Sequence, residues 1–279
     1  MRKILLLALL LFITSCSVVE PITENTVYTT FYAMYDFTKE IAGDKMNVVQ
    51  LVPSGSDAHD FEPTASDIAK ITKAKALIYC DGLDTYIDGI KETAQKAGVE
   101  TLNTADGIIT DGTDPHIWLS PENALIQYTA ITELLSQIDN PNSSYYQERL
   151  ELVKERINKL NDTINELCEN AKKKDIIVSH GAYSYLCSDL NITEHSIEGI
   201  TGDSDPTAKQ MAKIIELARE KDINTVFAQN GHSNKTALAV ANELGIQALY
   251  LDPFESDTGN GNYFEVMEKN LDAIAKAIN

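Results

Sequence analysis

Positive charge is what this sequence most lacks: 23 Lys and Arg stand against 42 Asp and Glu in 279 residues, a formal net charge of −19 at pH 7. Such a surplus repels phosphate backbones and anionic headgroups, which argues against nucleic-acid binding and against a basic membrane patch and favours small cations as partners. Cysteine is also scarce. Of four, Cys16 belongs to the N-terminal leader described below, leaving Cys80, Cys168 and Cys187. An odd number without CxxC spacing argues against a disulfide framework and against a thiolate zinc site, although a Cys168–Cys187 bridge stays open. Cys80 ends the apolar run that begins at Ala76 and reads as a small buried hydrophobe. The 14 Gly and 8 Pro are too few for a disordered or collagenous chain. No Gly-rich phosphate loop is present, and no local wording suggests a Ser-His-Asp or Cys-His set. What remains is a folded acidic chain, 43% hydrophobic, with room for one large or two ordinary domains.

One apolar run stands apart. Ile4 to Ile13 follows Arg2 and Lys3 and is too short to span a bilayer, so it reads as the core of a signal peptide. It closes on Thr14-Ser15-Cys16, which resembles a bacterial lipobox. Residues 1–15 are therefore expected to be removed, Cys16 to carry lipid as the mature N-terminus, and residues 16–26 to act as a polar tether.

Beyond the tether, short apolar runs alternate with stretches of helical period. Residues 27–31, 47–52, 76–79 and 100–102 read as strands, with helices at 33–42, 66–75 and 86–97. Ser120-Pro121-Glu122 opens a helix to about Ile138, with Ser as N-cap and Pro in the first turn. A second block places strands at 175–179, 192–197, 224–228 and 247–251 and helices at 182–190, 207–220, 234–244 and 263–278. Such alternation predicts α/β architecture with parallel sheets. Between the blocks, Tyr146, Leu150, Val153, Ile157, Leu160, Ile164 and Leu167 recur at alternating spacings of four and three. This predicts one helix over about 144–172, either a spine between two lobes or half of a coiled-coil dimer. The second α/β block that follows favours the spine. The expected plan is an N-terminal lobe over 27–142, a connecting helix over 143–173 and a C-terminal lobe over 174–279.

Chemistry concentrates at the carboxyl ends of the strands, where open parallel sheets bind their ligands. His59 follows the strand 47–52, His180 directly follows 175–179, and Asp252 directly follows 247–251. His116 lies in the loop before the Pro121 helix and can reach the same edge. Three imidazoles and one carboxylate suit Zn²⁺, and less decisively Mn²⁺ or Fe²⁺. No compact motif such as HExxH supports the grouping, so spacing alone leaves metal ligands and ordinary loop histidines both open. His195 falls inside a strand and reads as structural, and His232 reads as part of a turn.

The local wording resembles the solute-binding lipoproteins of bacterial zinc and manganese ABC importers. Gly55-Ser56-Asp57-Ala58-His59-Asp60-Phe61-Glu62-Pro63 is similar to the family's first ligand loop, with Ala58 where proline is usual. Asp114-Pro115-His116-Ile117-Trp118-Leu119-Ser120-Pro121 is similar to its second motif without departure. Ser179-His180-Gly181-Ala182-Tyr183-Ser184-Tyr185-Leu186 resembles the third, and Leu251-Asp252-Pro253 with Tyr263, Met267 and Asn270 resembles the fourth loop and final helix. Two departures stand out: residues 104–114 contain no His-rich collecting loop, and Gln229 stands where the family commonly has Glu. The resemblance implies two α/β lobes on a long helix, gripping one metal ion with His59, His116, His180 and Asp252. A His as third ligand implies zinc rather than manganese, with manganese and iron left open. It further implies a monomeric, extracytoplasmic receptor, anchored to the cell membrane through Cys16, that delivers its ion to an ABC permease and is not an enzyme. Two alternatives remain: a zinc hydrolase with Asp57, Asp114 or Glu62 as general base, and a surface adhesin. In either metal-binding reading, affinity is expected to fall as the histidines protonate near their ordinary pKa of roughly 6.5.

Overall fold

The computed structural model describes residues 25–83, 86–110, 114–200, 206–230 and 234–279. The first lobe is a four-stranded parallel sheet of β1 (Thr26–Thr29), β2 (Asn47–Gln50), β3 (Ala76–Tyr79) and β4 (Glu100–Asn103), ordered β2-β1-β3-β4. Its crossovers are α1 (Tyr32–Ala42), α2 (Ala65–Ile71) and α3 (Ile87–Lys96). The second lobe repeats the plan: β5 (Asp175–Val178), β6 (Thr193–Ser196), β7 (Thr225–Gln229) and β8 (Gln247–Leu251), ordered β6-β5-β7-β8 and again all parallel. Between the lobes lie α4 (Pro121–Ile138) and α5 (Ser143–Asn170), and within and after the second sheet run α6 (Ser184–Asp189), α7 (Ala208–Glu220), α8 (Lys235–Leu244) and α9 (Tyr263–Ile278).

The strand sequences explain the order. The central strands β1, β3 and β7 are buried along their whole length, as strands covered by helices on both faces must be. The outer strands β4 (ETLN) and β6 (TEHS) carry the polar residues an edge tolerates. Capping boxes start three helices: Thr64 with Asp67 at α2, Thr207 with Gln210 at α7, and Asn262 with Glu265 at α9. Ser120 occupies the N-cap of α4 as expected, but its side chain makes no capping bond there and pairs with the Asp189 carboxyl instead. Gly43 ends α1 at φ +56°, a backbone conformation that L side chains rarely adopt and glycine takes freely.

The spine holds the lobes together. The seven buried residues of α5 are Tyr146, Leu150, Val153, Ile157, Leu160, Ile164 and Leu167, the expected seam. At 28 residues the helix is about 42 Å long. Its seam enters one apolar cluster that takes in Phe37, Ile41, Tyr128 and Leu135 from the first half and Leu186, Leu190, Leu271 and Ile274 from the second. The seam is thus consumed within the chain, which removes the basis for a coiled-coil dimer. Two smaller clusters cover the sheets separately, around Leu77 and Ile90 in one lobe and Val226 and Val240 in the other. Truncating Ile157, fully buried at the middle of the shared core, is expected to lower unfolding free energy by about 2–5 kcal/mol. Urea unfolding of Ile157→Ala checks this, and both lobes should lose structure in the same transition.

Candidate metal centre

Four loops at the sheet edges meet between the lobes. His59 lies beyond β2, and its backbone N–H donates to Asp57 Oδ1 at 2.8 Å, a local turn that fixes the loop. His116 precedes one turn of 3₁₀ helix at Ile117–Leu119 and is fully buried. Asp114 Oδ1 accepts from its backbone N–H at 2.9 Å and lies 2.6 Å from its Nδ1. The other Asp114 oxygen accepts from the Ser184 hydroxyl, and the Tyr185 hydroxyl donates to the Asp114 carbonyl at 3.1 Å, so α6 of the second lobe steadies a ligand loop of the first. His180 stands two residues beyond the end of β5, after Ser179. The next residue must be small, because a Cβ on Gly181 would lie 3.0 Å from Ser196 Cβ and 3.1 Å from the Gly199 carbonyl.

The structure brings His59, His116 and His180 together, and the carboxylate that joins them is Glu255. Glu255 Oε1 lies 2.5 Å from His116 Nε2 and 3.3 Å from both His59 Nε2 and His180 Nε2, while His180 Nε2 and His116 Nε2 are 3.2 Å apart. One donor atom from each of the four residues fits within 4.8 Å. A tetrahedral zinc site with bonds of about 2.0–2.1 Å has donor atoms separated by about 3.3 Å, the spacing of three of these pairs.

Asp252, read from the sequence as the fourth ligand, is not part of this group. It is buried beside it, but its carboxylate already accepts from the Phe254 N–H at 2.9 Å, the Thr258 hydroxyl at 2.6 Å and Asn260 Nδ2 at 2.9 Å. Sequence reasoning placed the ligand at the strand end, where Asp252 stands, whereas the loop carries a second acid three residues further on. Asp252-Pro253-Phe254-Glu255 held that signal, but choosing between the acids depends on a left-handed turn at Phe254, φ +60°. His195 pairs with Asp175 Oδ1 at 2.8 Å on the outer strand β6, in keeping with a structural role. Among the described residues Cys80, Cys168 and Cys187 form no disulfide, so the Cys168–Cys187 bridge is not made, and Cys168 Sγ is directed at the Asp189 carbonyl. Cys16 and His232 lie outside the described residues.

The electrostatics set a proton against the metal. Burial disfavours the His116 imidazolium, but the Glu255 and Asp114 carboxylates outweigh it and raise the pKa to about 9. Burial likewise disfavours the Glu255 carboxylate, and the three imidazoles overcome it, holding the group well below its usual range. Without metal, the centre is an imidazolium–carboxylate pair. A cation that binds there must displace the proton.

Comparison with known proteins places this geometry. The family profile described as zinc-uptake complex component A, periplasmic (ZnuA) matches residues 27–277. The zinc-binding lipoprotein AdcA of Streptococcus pneumoniae strain R6 is 31% identical over 98% of this chain, which spans 60% of that relative's length. Among solved structures, the laminin-binding protein Lmb of Streptococcus agalactiae, described as bifunctional with adhesin and metal-transporting activity, superposes with a TM-score of 0.84 at 27% identity, covering 91% of this chain and 99% of the other. The Zn(II)-bound ZnuA-like domain of Streptococcus pneumoniae AdcA superposes with a TM-score of 0.81 at 28% identity, covering 91% of this chain and 98% of that domain.

Two outcomes follow for metal affinity. Because the His116 pKa is raised, its proton competes with the metal at every pH below about 9 and not above it. Apparent Zn²⁺ affinity should therefore climb about tenfold per unit from pH 7 to 9 and level off beyond, where an unperturbed imidazole would level off above about 6.5; competition titration across that range checks it. Asp114→Asn removes the charge that orients His116 and is expected to weaken Zn²⁺ binding by about 10–100-fold in the same assay at fixed pH.

Proposed function

The chain belongs to the ZnuA family, zinc-uptake complex component A, and on that premise we propose that it is an extracytoplasmic receptor that captures Zn²⁺ between its lobes and delivers it to an ABC permease. The observation that carries this reading is the convergence of three imidazole nitrogens and one carboxylate oxygen, drawn from loops of both lobes, within 4.8 Å. Nitrogen-rich, four-donor surroundings suit Zn²⁺, whereas Mn²⁺ is better served by more oxygen donors. The names of the relatives agree on the ion: AdcA is a zinc-binding lipoprotein, and its ZnuA-like domain was solved with Zn(II).

The family is one of metal-binding solute receptors, not of enzymes. The chemistry here points the same way. A catalytic zinc keeps one position for water, and Glu255 fills the fourth position that a hydrolase would leave open. The adhesin activity described for Lmb belongs to that protein. Anchoring through lipid on Cys16 is part of the proposal, supported by the lipobox wording and by the lipoprotein relative. So is action as a monomer, supported by an α5 seam fully used within one chain.

Because the core passes without a break from one lobe through α5 to the other, delivery to the permease calls for a small displacement of the ligand loops rather than a wide opening of the lobes. Protein purified without chelator should carry one zinc per chain by elemental analysis, and the stripped form should prefer Zn²⁺ to Mn²⁺ in competition. A protein with no bound transition metal, and no affinity tighter than about 1 μM, overturns the receptor reading.

A further inference from the structure

The loop that carries Glu255 is held more tightly than a ligand loop needs to be unless the ligand's position matters. Asp252 opens it, and both carboxylate oxygens are engaged: Oδ1 accepts from the Phe254 N–H at 2.9 Å, and Oδ2 accepts from the Thr258 hydroxyl at 2.6 Å and Asn260 Nδ2 at 2.9 Å. Asn270 of α9 grips the Asp252 backbone from both sides, accepting from its N–H at 2.9 Å and donating to its carbonyl at 2.8 Å. Between these bonds Phe254 adopts φ +60°, a conformation that costs a bulky side chain and persists only where the surroundings impose it. From the other lobe, Trp118 Nε1 donates to the Pro253 carbonyl at 2.8 Å and the Tyr32 N–H to the Glu255 carbonyl at 3.2 Å. The outcome is that a single oxygen of Glu255, Oε1, faces all three imidazoles.

We infer that Asp252 is a positioning residue for the metal site: its carboxylate clips residues 252–260 into the turn that presents Glu255 to the ion as a one-oxygen donor. This rests on His59, His116, His180 and Glu255 being the Zn²⁺ ligands. An ionised carboxylate is suited to the task because hydrogen bonds to a charged acceptor are stronger than neutral ones, and three of them converge here from one short loop. Those same bonds occupy Asp252 and keep it from the ion. Fixing Glu255 through one oxygen keeps the coordination number at four, the arrangement zinc prefers.

The test compares full-length variants by Zn²⁺ competition titration and by the visible spectrum of the Co²⁺-loaded protein, whose band intensity reports four-coordination. Glu255→Ala should weaken Zn²⁺ binding and lower the Co²⁺ band. Asp252→Ala should weaken Zn²⁺ binding by about 10–100-fold and lower the band as well, since the support of a ligand, rather than a ligand, is lost. The double variant Thr258→Val, Asn260→Ala leaves Asp252 and Asn270 in place, so it answers the question even where Asp252→Ala does not fold; it should reproduce the change in the same direction. If the double variant keeps the parent affinity and spectrum while Glu255→Ala is weakened, the clip is refuted and the site stands. If Asp252→Ala loses binding while Glu255→Ala and the double variant do not, Asp252 is itself the ligand and the inference fails. Parent affinity in both Glu255→Ala and His116→Ala would refute the metal site on which the inference depends.

Discussion

A carboxylate taken out of water costs several kcal/mol unless positive charge meets it, and Glu255 is about 96% buried at the junction of the two lobes. Much of the molecule is arranged around that constraint. Three imidazole nitrogens from both lobes face one oxygen of Glu255, and the nearest of them, on His116, is backed by a second carboxylate, Asp114. In the absence of metal a proton on His116 supplies the positive charge; a divalent cation supplies more of it and satisfies all three imidazoles at once. The affinity of the centre for metal and its affinity for that proton are therefore aspects of one electrostatic requirement. The large acidic surplus of the chain draws cations in general, whereas these few buried groups select among them.

Holding four such groups from separate loops within 4.8 Å of one another demands a frame that does not yield. The shared core supplies it: α5 buries an unbroken seam against helices of both halves. Near the metal centre, bonds cross between lobes in both directions. Ser184 and Tyr185 reach Asp114, while Trp118 and Tyr32 hold the Glu255 loop, and the Tyr263 hydroxyl returns to the Trp118 carbonyl at 2.9 Å. Two of the four loops, those of His116 and Glu255, are thus steadied by residues outside their own lobe. A site held this way is nearly formed before any ligand arrives, which limits the ordering entropy lost on binding.

Much of this was legible in the sequence because it follows from local rules. The α5 seam declared itself through alternating spacings of four and three, and the three histidines that meet in the structure were singled out by the motif wording around them, since their loop positions alone left them open. What escaped were features that exist only once distant segments meet. Asp252 occupies the strand-end position that the rule selects, yet the turn through Phe254, pinned by Trp118 and Tyr32, brings Glu255 to the three imidazoles. Ser120 sits at a helix start as its type predicts, but Asp189 of α6 takes its hydroxyl. The rise of the His116 pKa to about 9 needs Asp114 from its own loop and Glu255 from 139 residues away. Local wording singled out the histidines; tertiary packing set which acid stands beside them and tuned the base.

The central claim is that one Zn²⁺ ion is held by the Nε2 atoms of His59, His116 and His180 and by one oxygen of Glu255. Zinc-edge X-ray absorption on the stoichiometrically loaded protein tests it most directly. Three imidazole nitrogens and one oxygen, four donors in all at about 2.0–2.1 Å, are the expected first coordination sphere. A sulfur donor, fewer than three imidazoles, or a sphere of five or six oxygen and nitrogen atoms would contradict it.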